Sequence, residues 1–97
     1  MRQVAAMPNR AILVRLLLNQ ATRAEKAGYG RRALLLYSRM TSIAPDYMHP
    51  WWERARVELV DNDVAAARAS FTAMLEITRE PALRERVNST LDALFAR

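Results

Sequence analysis

The sequence predicts an all-α protein, built as antiparallel helical hairpins from about five helices. Three observations lead there. Apolar residues recur at spacings of three and four along most of the chain, the mark of amphipathic helices. Gly, Pro and Asn-Asp punctuation cuts that pattern into helix-length segments joined by a few residues, and such short joints make consecutive helices antiparallel. No stretch alternates apolar and polar residues as a half-buried strand would.

The first helix is expected to open at Met7-Pro8-Asn9, with proline near its first turn. Leu13, Leu16, Leu17, Ala21 and Ala24 form its apolar face, and Gly28-Tyr29-Gly30 ends it, glycine supplying the left-handed conformation of a helix C-terminus. The second helix runs from about Arg31 to Ser42 with Ala33, Leu36, Tyr37, Met40 and Ile43 inward. Pro45 stops it, because a proline disfavours helix in the residue before it.

The third helix starts near His49-Pro50 and turns Trp51, Ala55 and Leu59 inward, with Trp52 beside them. Asp61-Asn62-Asp63 closes it: Asn62 tolerates the left-handed conformation and Asp63 can cap the next helix. The fourth helix, about Val64 to Thr78, carries Ala67, Phe71, Met74 and Ile77. Glu80-Pro81 introduces a fifth, with Leu83, Val87, Leu91 and Leu94 on one face and Phe95 adjacent.

At 97 residues the chain is one domain. Cysteine is absent, which excludes disulfides, thiolate metal sites and a cysteine nucleophile, and fits a cytoplasmic location. His49 is the single histidine, and no nucleophile or orienting partner accompanies it, so neither a metal centre nor a catalytic base is expected. The chain reads as a non-enzyme without a cofactor. Asp61 and Asp63 offer too few oxygens for calcium and read as caps.

The net charge is +5, and the basic residues are arginines apart from Lys26. With alanine abundant, this reads as the composition of a GC-rich genome. The charges are scattered, so nucleic-acid binding through arginines is only an alternative reading. Arg31-Arg32 at a helix start opposes the helix dipole; the pair is solvated by default or meets an acidic surface. The apolar run Ala11 to Leu18 is broken by Arg15 and falls well short of the roughly 20 residues of a membrane span. Its helical pattern continues into Ala21 and Ala24, which argues against a targeting segment.

Shifted by 34 residues, the sequence matches itself in chemistry. Leu17 falls on Trp51, Ala21 on Ala55, Gly28 on Asn62, Ala33 on Ala67, Tyr37 on Phe71, Met40 on Met74 and Ile43 on Ile77. A helix–turn–helix unit of this period resembles the tetratricopeptide repeat family. The resemblance covers about residues 14–81, as repeat one (14–47) and repeat two (48–81), with 82–97 as a capping helix. It implies a right-handed superhelical array. Gln20 and Arg54 depart from the family, standing where leucine is usual, and Arg79 replaces the closing proline found at Pro45.

A narrower resemblance lies in residues 9–28 and 36–71, which are similar to the repeat segment at the C-terminus of bacterial transglutaminase-like proteins. In that family the repeats follow a catalytic-type domain. This chain lacks that domain, so the resemblance implies an accessory segment or a free-standing relative.

Repeat arrays bind partners on the concave face lined by their first helices. Here that face is expected to carry Arg15, Leu18, Asn19 and Thr22 from the first helix and Trp52, Glu53, Arg56 and Leu59 from the third. Trp52 lies about 100° around the helix from the core position of Trp51, either at the groove beside Arg56 or covered by the first helix or the chain's own N-terminus. Leu18 and Thr22 replace the lysine and asparagine with which some family members clamp a peptide carboxylate, so that mode is not expected. The reading is a scaffold for a protein or peptide partner. Val4 to Met7 is the edge expected to be sticky, and self-association would cover the same face.

Overall fold

A computed structural model of the protein describes residues 10–95. Five helices follow one another: α1 (Arg10–Lys26), α2 (Gly30–Ile43), α3 (Met48–Val60), α4 (Val64–Ile77) and α5 (Pro81–Phe95). The described residues contain no strand. The expected start at Met7-Pro8-Asn9 and the edge at Val4 to Met7 lie outside the described residues. Each helix packs chiefly on its neighbours in the chain, α1 on α2, α2 on α3, α3 on α4 and α4 on α5. The result is an elongated slab of 57 × 34 × 17 Å.

The self-match of the sequence is also a match of backbone. Gly28 has φ 88° and Asn62 has φ 63°, the left-handed values among the described residues. Around Gly28, the amides of Ala27, Gly28 and Tyr29 bond the carbonyls of Arg23, Glu25 and Ala24. Those of Asp61, Asn62 and Asp63 bond Val57, Leu59 and Glu58 in the same pattern, every partner shifted by 34 residues. Asp63 caps α4 by accepting from the Ala66 amide at 3.2 Å, whereas Tyr29 makes no side-chain cap at α2.

The core repeats too. Ala21 and Ala55 are fully buried, as are Ala33 and Ala67, because the hairpin axes approach too closely for anything larger. Tyr37 and Phe71 fill the space beside them, and Met40 and Met74 lie below. The core divides into two clusters, one around α1–α2 and one joining α3 and α4 to Val87 of α5.

Three faces differ from expectation. On α1 the buried residues are Val14, Leu17, Ala21 and Ala24, while Leu13 and Leu16 are exposed. The helix is rotated so that the stripe through Ala21 meets α2, which leaves Leu13 and Leu16 on the outer side of the array's first helix. On α5, Val87 is buried and Leu83 and Leu91 half-buried, but Leu94 is exposed near the end of the last helix. On α3, Val57 and the carboxylate of Glu58 are buried along with Ala55.

Candidate interaction surface

Seven of the eight predicted partner-binding residues fall into three groups, and Trp52 stands apart from them. Arg15 and Asn19 are exposed on α1, and among the described residues no hydrogen bond or ion pair ties them to α3. Leu18 is half-buried against the first core cluster, and Leu59 against the second. Thr22, Glu53 and Arg56 converge, with Glu25 and Tyr37, into one charged knot.

That knot joins α1, α2 and α3. Arg56 donates to both oxygens of Glu25, Nη1 to Oε2 at 2.6 Å and Nη2 to Oε1 at 2.7 Å, a bidentate fork across the array. It also grips Glu53 Oε1 through Nε at 2.9 Å and Nη2 at 2.6 Å. The Tyr37 hydroxyl donates to Glu25 Oε1 at 3.3 Å, and the Thr22 side chain lies close to the same phenol. Hydrogen bonding and attraction from Arg56 hold the Glu25 carboxyl below its ordinary value, against the opposing effect of burial. The same contacts, led by the bond to Glu25, push the Arg56 guanidinium up. Burial, then the nearby Glu25 and Glu53 charges, raise the Tyr37 phenol. Arg56 is therefore occupied within the chain, and the knot holds two carboxylates against one guanidinium.

Trp52 lies one turn before Arg56 on α3 and meets different neighbours. Its ring meets Phe71 edge-on, with centroids 5.5 Å apart and planes at 76°, and the Arg86 guanidinium lies 5.0 Å from its centroid. The side chain is covered on these sides by α4 and α5 but remains half-buried. Its open side lines a cleft of about 260 Å³ between α3 and α5, with Met48, Met74, Leu83 and Val87 as apolar wall and Arg86 and His49 alongside. His49 is exposed, its Nε2 3.9 Å from Glu53 Oε2. Trp51 serves a different purpose. Its Nε1–H donates to the Pro45 carbonyl at 2.9 Å and ties the α2–α3 connection to α3.

A polar network inside the array was not among the expected features. The buried Glu58 carboxylate accepts from Ser70 Oγ at 2.7 Å and from Arg54 Nε at 3.1 Å. Arg54 Nη1 donates onward to Thr41 Oγ1 at 3.0 Å, and Thr41 donates to the Ser38 carbonyl at 2.7 Å. The guanidinium also lies 5.4 Å from the Trp51 ring centroid. Thus the residue that departs from the tetratricopeptide pattern at Arg54 bridges α2 and α3, and Glu58 carries the link to α4. The sequence signal was the Arg54–Glu58 spacing of four, which places both on one helix face.

Among the described residues no three His, Asp or Glu side chains come together as a metal site. No described helix is long and apolar enough to cross a membrane. Searches against protein-family models, curated proteins and solved structures give no match to this chain.

Proposed function

We propose that this chain is a protein-interaction scaffold, a two-repeat helical array of the tetratricopeptide type without catalytic activity of its own. The observation that carries the reading is the Trp52 cleft. An aromatic ring that is held on two sides and open on a third is a ready anchor, and tryptophan and arginine are the residue types that dominate binding hot spots. The cleft takes one or two apolar side chains of a peptide, and Arg86 beside it favours an acidic neighbour in that peptide. Arg56, committed to Glu25 and Glu53, sets the spacing of α1 and α3 rather than serving as an anchor.

The test is a photo-crosslinking amino acid at His49, on the cleft wall, with the chain expressed in its source cells. A protein adduct that disappears when Leu83→Glu fills the cleft with charge supports the reading. An adduct to nucleic acid, or a protein adduct indifferent to Leu83→Glu, overturns it.

A second reading takes the array as the accessory part of a transglutaminase-like protein. The exposed Leu13 and Leu16 on the outer side of α1 support it, as apolar surface of the kind that a neighbouring domain covers. A crosslinker at Leu16 that captures a catalytic domain would favour this over the cleft.

A further inference from the structure

We infer that the α1–α2 turn is a docking surface for an acidic peptide segment of a partner protein. It lies apart from the Trp52 cleft and stands or falls independently of it. Arg23 and Lys26 occupy the last turn of α1, and Arg31 and Arg32 the first turn of α2. All four are exposed, and among the described residues none has an ion pair or side-chain hydrogen bond. The one carboxylate in this stretch, Glu25, points away into the knot with Arg56. Elsewhere Arg10 pairs with Asp46, Arg54 with Glu58, and Arg84 donates to the Leu75 and Thr78 carbonyls, while Arg86 covers Trp52. Arg15, Arg39 and Arg79 are exposed but stand singly along the chain. Among the described residues, charges that look scattered in the sequence therefore concentrate at the α1–α2 turn, where the one carboxylate brought close from elsewhere is Asp61, which shares a small hollow with Arg31.

The patch surrounds a shallow, open hollow. A depression of about 810 Å³ is lined by Arg23, Arg31, Arg32, Ala24, Gly28 and Tyr29, among others. Tyr29 is 63% exposed at its edge, an apolar ring among guanidiniums. Gly30 forms part of the wall, and a side chain there would meet nothing within 4 Å. Glycine disfavours helix, and α2 has open space for a larger residue at this position. The depression admits a few residues of extended chain, and forked guanidiniums suit carboxylates. A nucleic-acid backbone would need cations spaced along a track; here Arg23, Arg31 and Arg32 line one hollow, with Lys26 outside its lining.

The probe is a fluorescein-labelled decapeptide alternating glutamate and alanine, read by anisotropy at about 0.15 M ionic strength. A thymidine oligonucleotide serves as the competing polyanion. The wild type is expected to bind the peptide, and Arg31→Glu/Arg32→Glu to weaken binding roughly tenfold or more, since reversing a charge replaces attraction by repulsion. Gly30→Leu, which fills the hollow without changing charge, is expected to weaken it as well, with circular dichroism unchanged. Arg39→Glu/Arg79→Glu, of equal charge change, should leave it nearly intact. The inference is overturned if the wild type does not bind, if the control pair weakens binding as much as the turn pair, or if the oligonucleotide binds as tightly as the peptide.

Discussion

Glu58 and Ser70 meet in the interior between α3 and α4, with the Ser70 hydroxyl donating to a carboxylate that is only 3% exposed. A buried charge is held there by its partners, and removing one leaves desolvation uncompensated. Ser70→Ala is expected to lower stability by about 1–3 kcal/mol. Arg54→Leu, although it restores the residue usual in tetratricopeptide repeats, is expected to cost about 3–5 kcal/mol because it strands Glu58. The triple change Arg54→Leu, Glu58→Leu and Ser70→Ala should recover most of that loss. Urea unfolding of the four proteins checks this; a stabilised single Arg54→Leu would contradict the network.

At the hairpin turns, the left-handed backbone at Gly28 and Asn62 sets a different demand. A β-carbon is strained there by about 1–2 kcal/mol unless the residue is asparagine or aspartate. Gly28→Ala and Asn62→Ala are each expected to destabilise by about 1 kcal/mol, and Asn62→Gly to stay within ~0.5 kcal/mol of the wild type. Denaturation midpoints measured side by side would reveal a turn that is not left-handed.

Stability should depend on pH through Glu25 at the acid end. Its folded value is depressed below the ordinary 4.5, so between the two values the unfolded chain binds more protons and stability rises with pH. The contribution is complete above about 4.5 and lost as pH falls through the folded value. Tyr37 acts at the alkaline end: its raised value favours the folded state with the neutral phenol, an advantage present below about 10 and lost only on rising through the folded value. Glu25→Gln is expected to flatten the acid limb of a stability–pH profile and to shrink the alkaline limb without abolishing it, since burial and Glu53 still raise the Tyr37 phenol. An unchanged acid limb would mean that the Arg56 fork does not form in solution.

Ala21 and Ala55 tolerate no enlargement. Both are fully buried where paired helices cross, and leucine would drive the axes apart at a cost of about 1–3 kcal/mol or more. The prediction is that Ala21→Leu and Ala55→Leu lower the thermal midpoint, while leucine at the exposed Ala65 leaves it near the wild type.

Much of this fold was legible because packing repeats along the chain. Alanine at a crossing, an aromatic four residues later and a left-handed residue at the turn are local demands, and sequence states them twice. The α1 face was misread because four leucines and a valine between 13 and 18 make any rotation look apolar; only the position of α2 selects Val14 and Leu17. Arg54 was legible as an exception but not as a bridge, since Thr41 and Ser70 lie on other helices and a hydroxyl carries no sequence mark of its partner. At the candidate site, Arg56 and Trp52 stood out by residue type. Their roles were decided by Glu25, 31 residues earlier, and by Phe71 and Arg86, which only the folded chain brings within reach.

The neighbour-by-neighbour succession of helices also governs how the protein forms. When contacts are local in sequence, little loop entropy is lost before they stabilise the chain, and folding falls in the microsecond-to-millisecond range. During synthesis, α1 and α2 can close on each other around Tyr37 while α5 is still unmade. The later helices then add to an existing surface, and Glu25 waits in the first hairpin for the guanidinium of Arg56 to arrive.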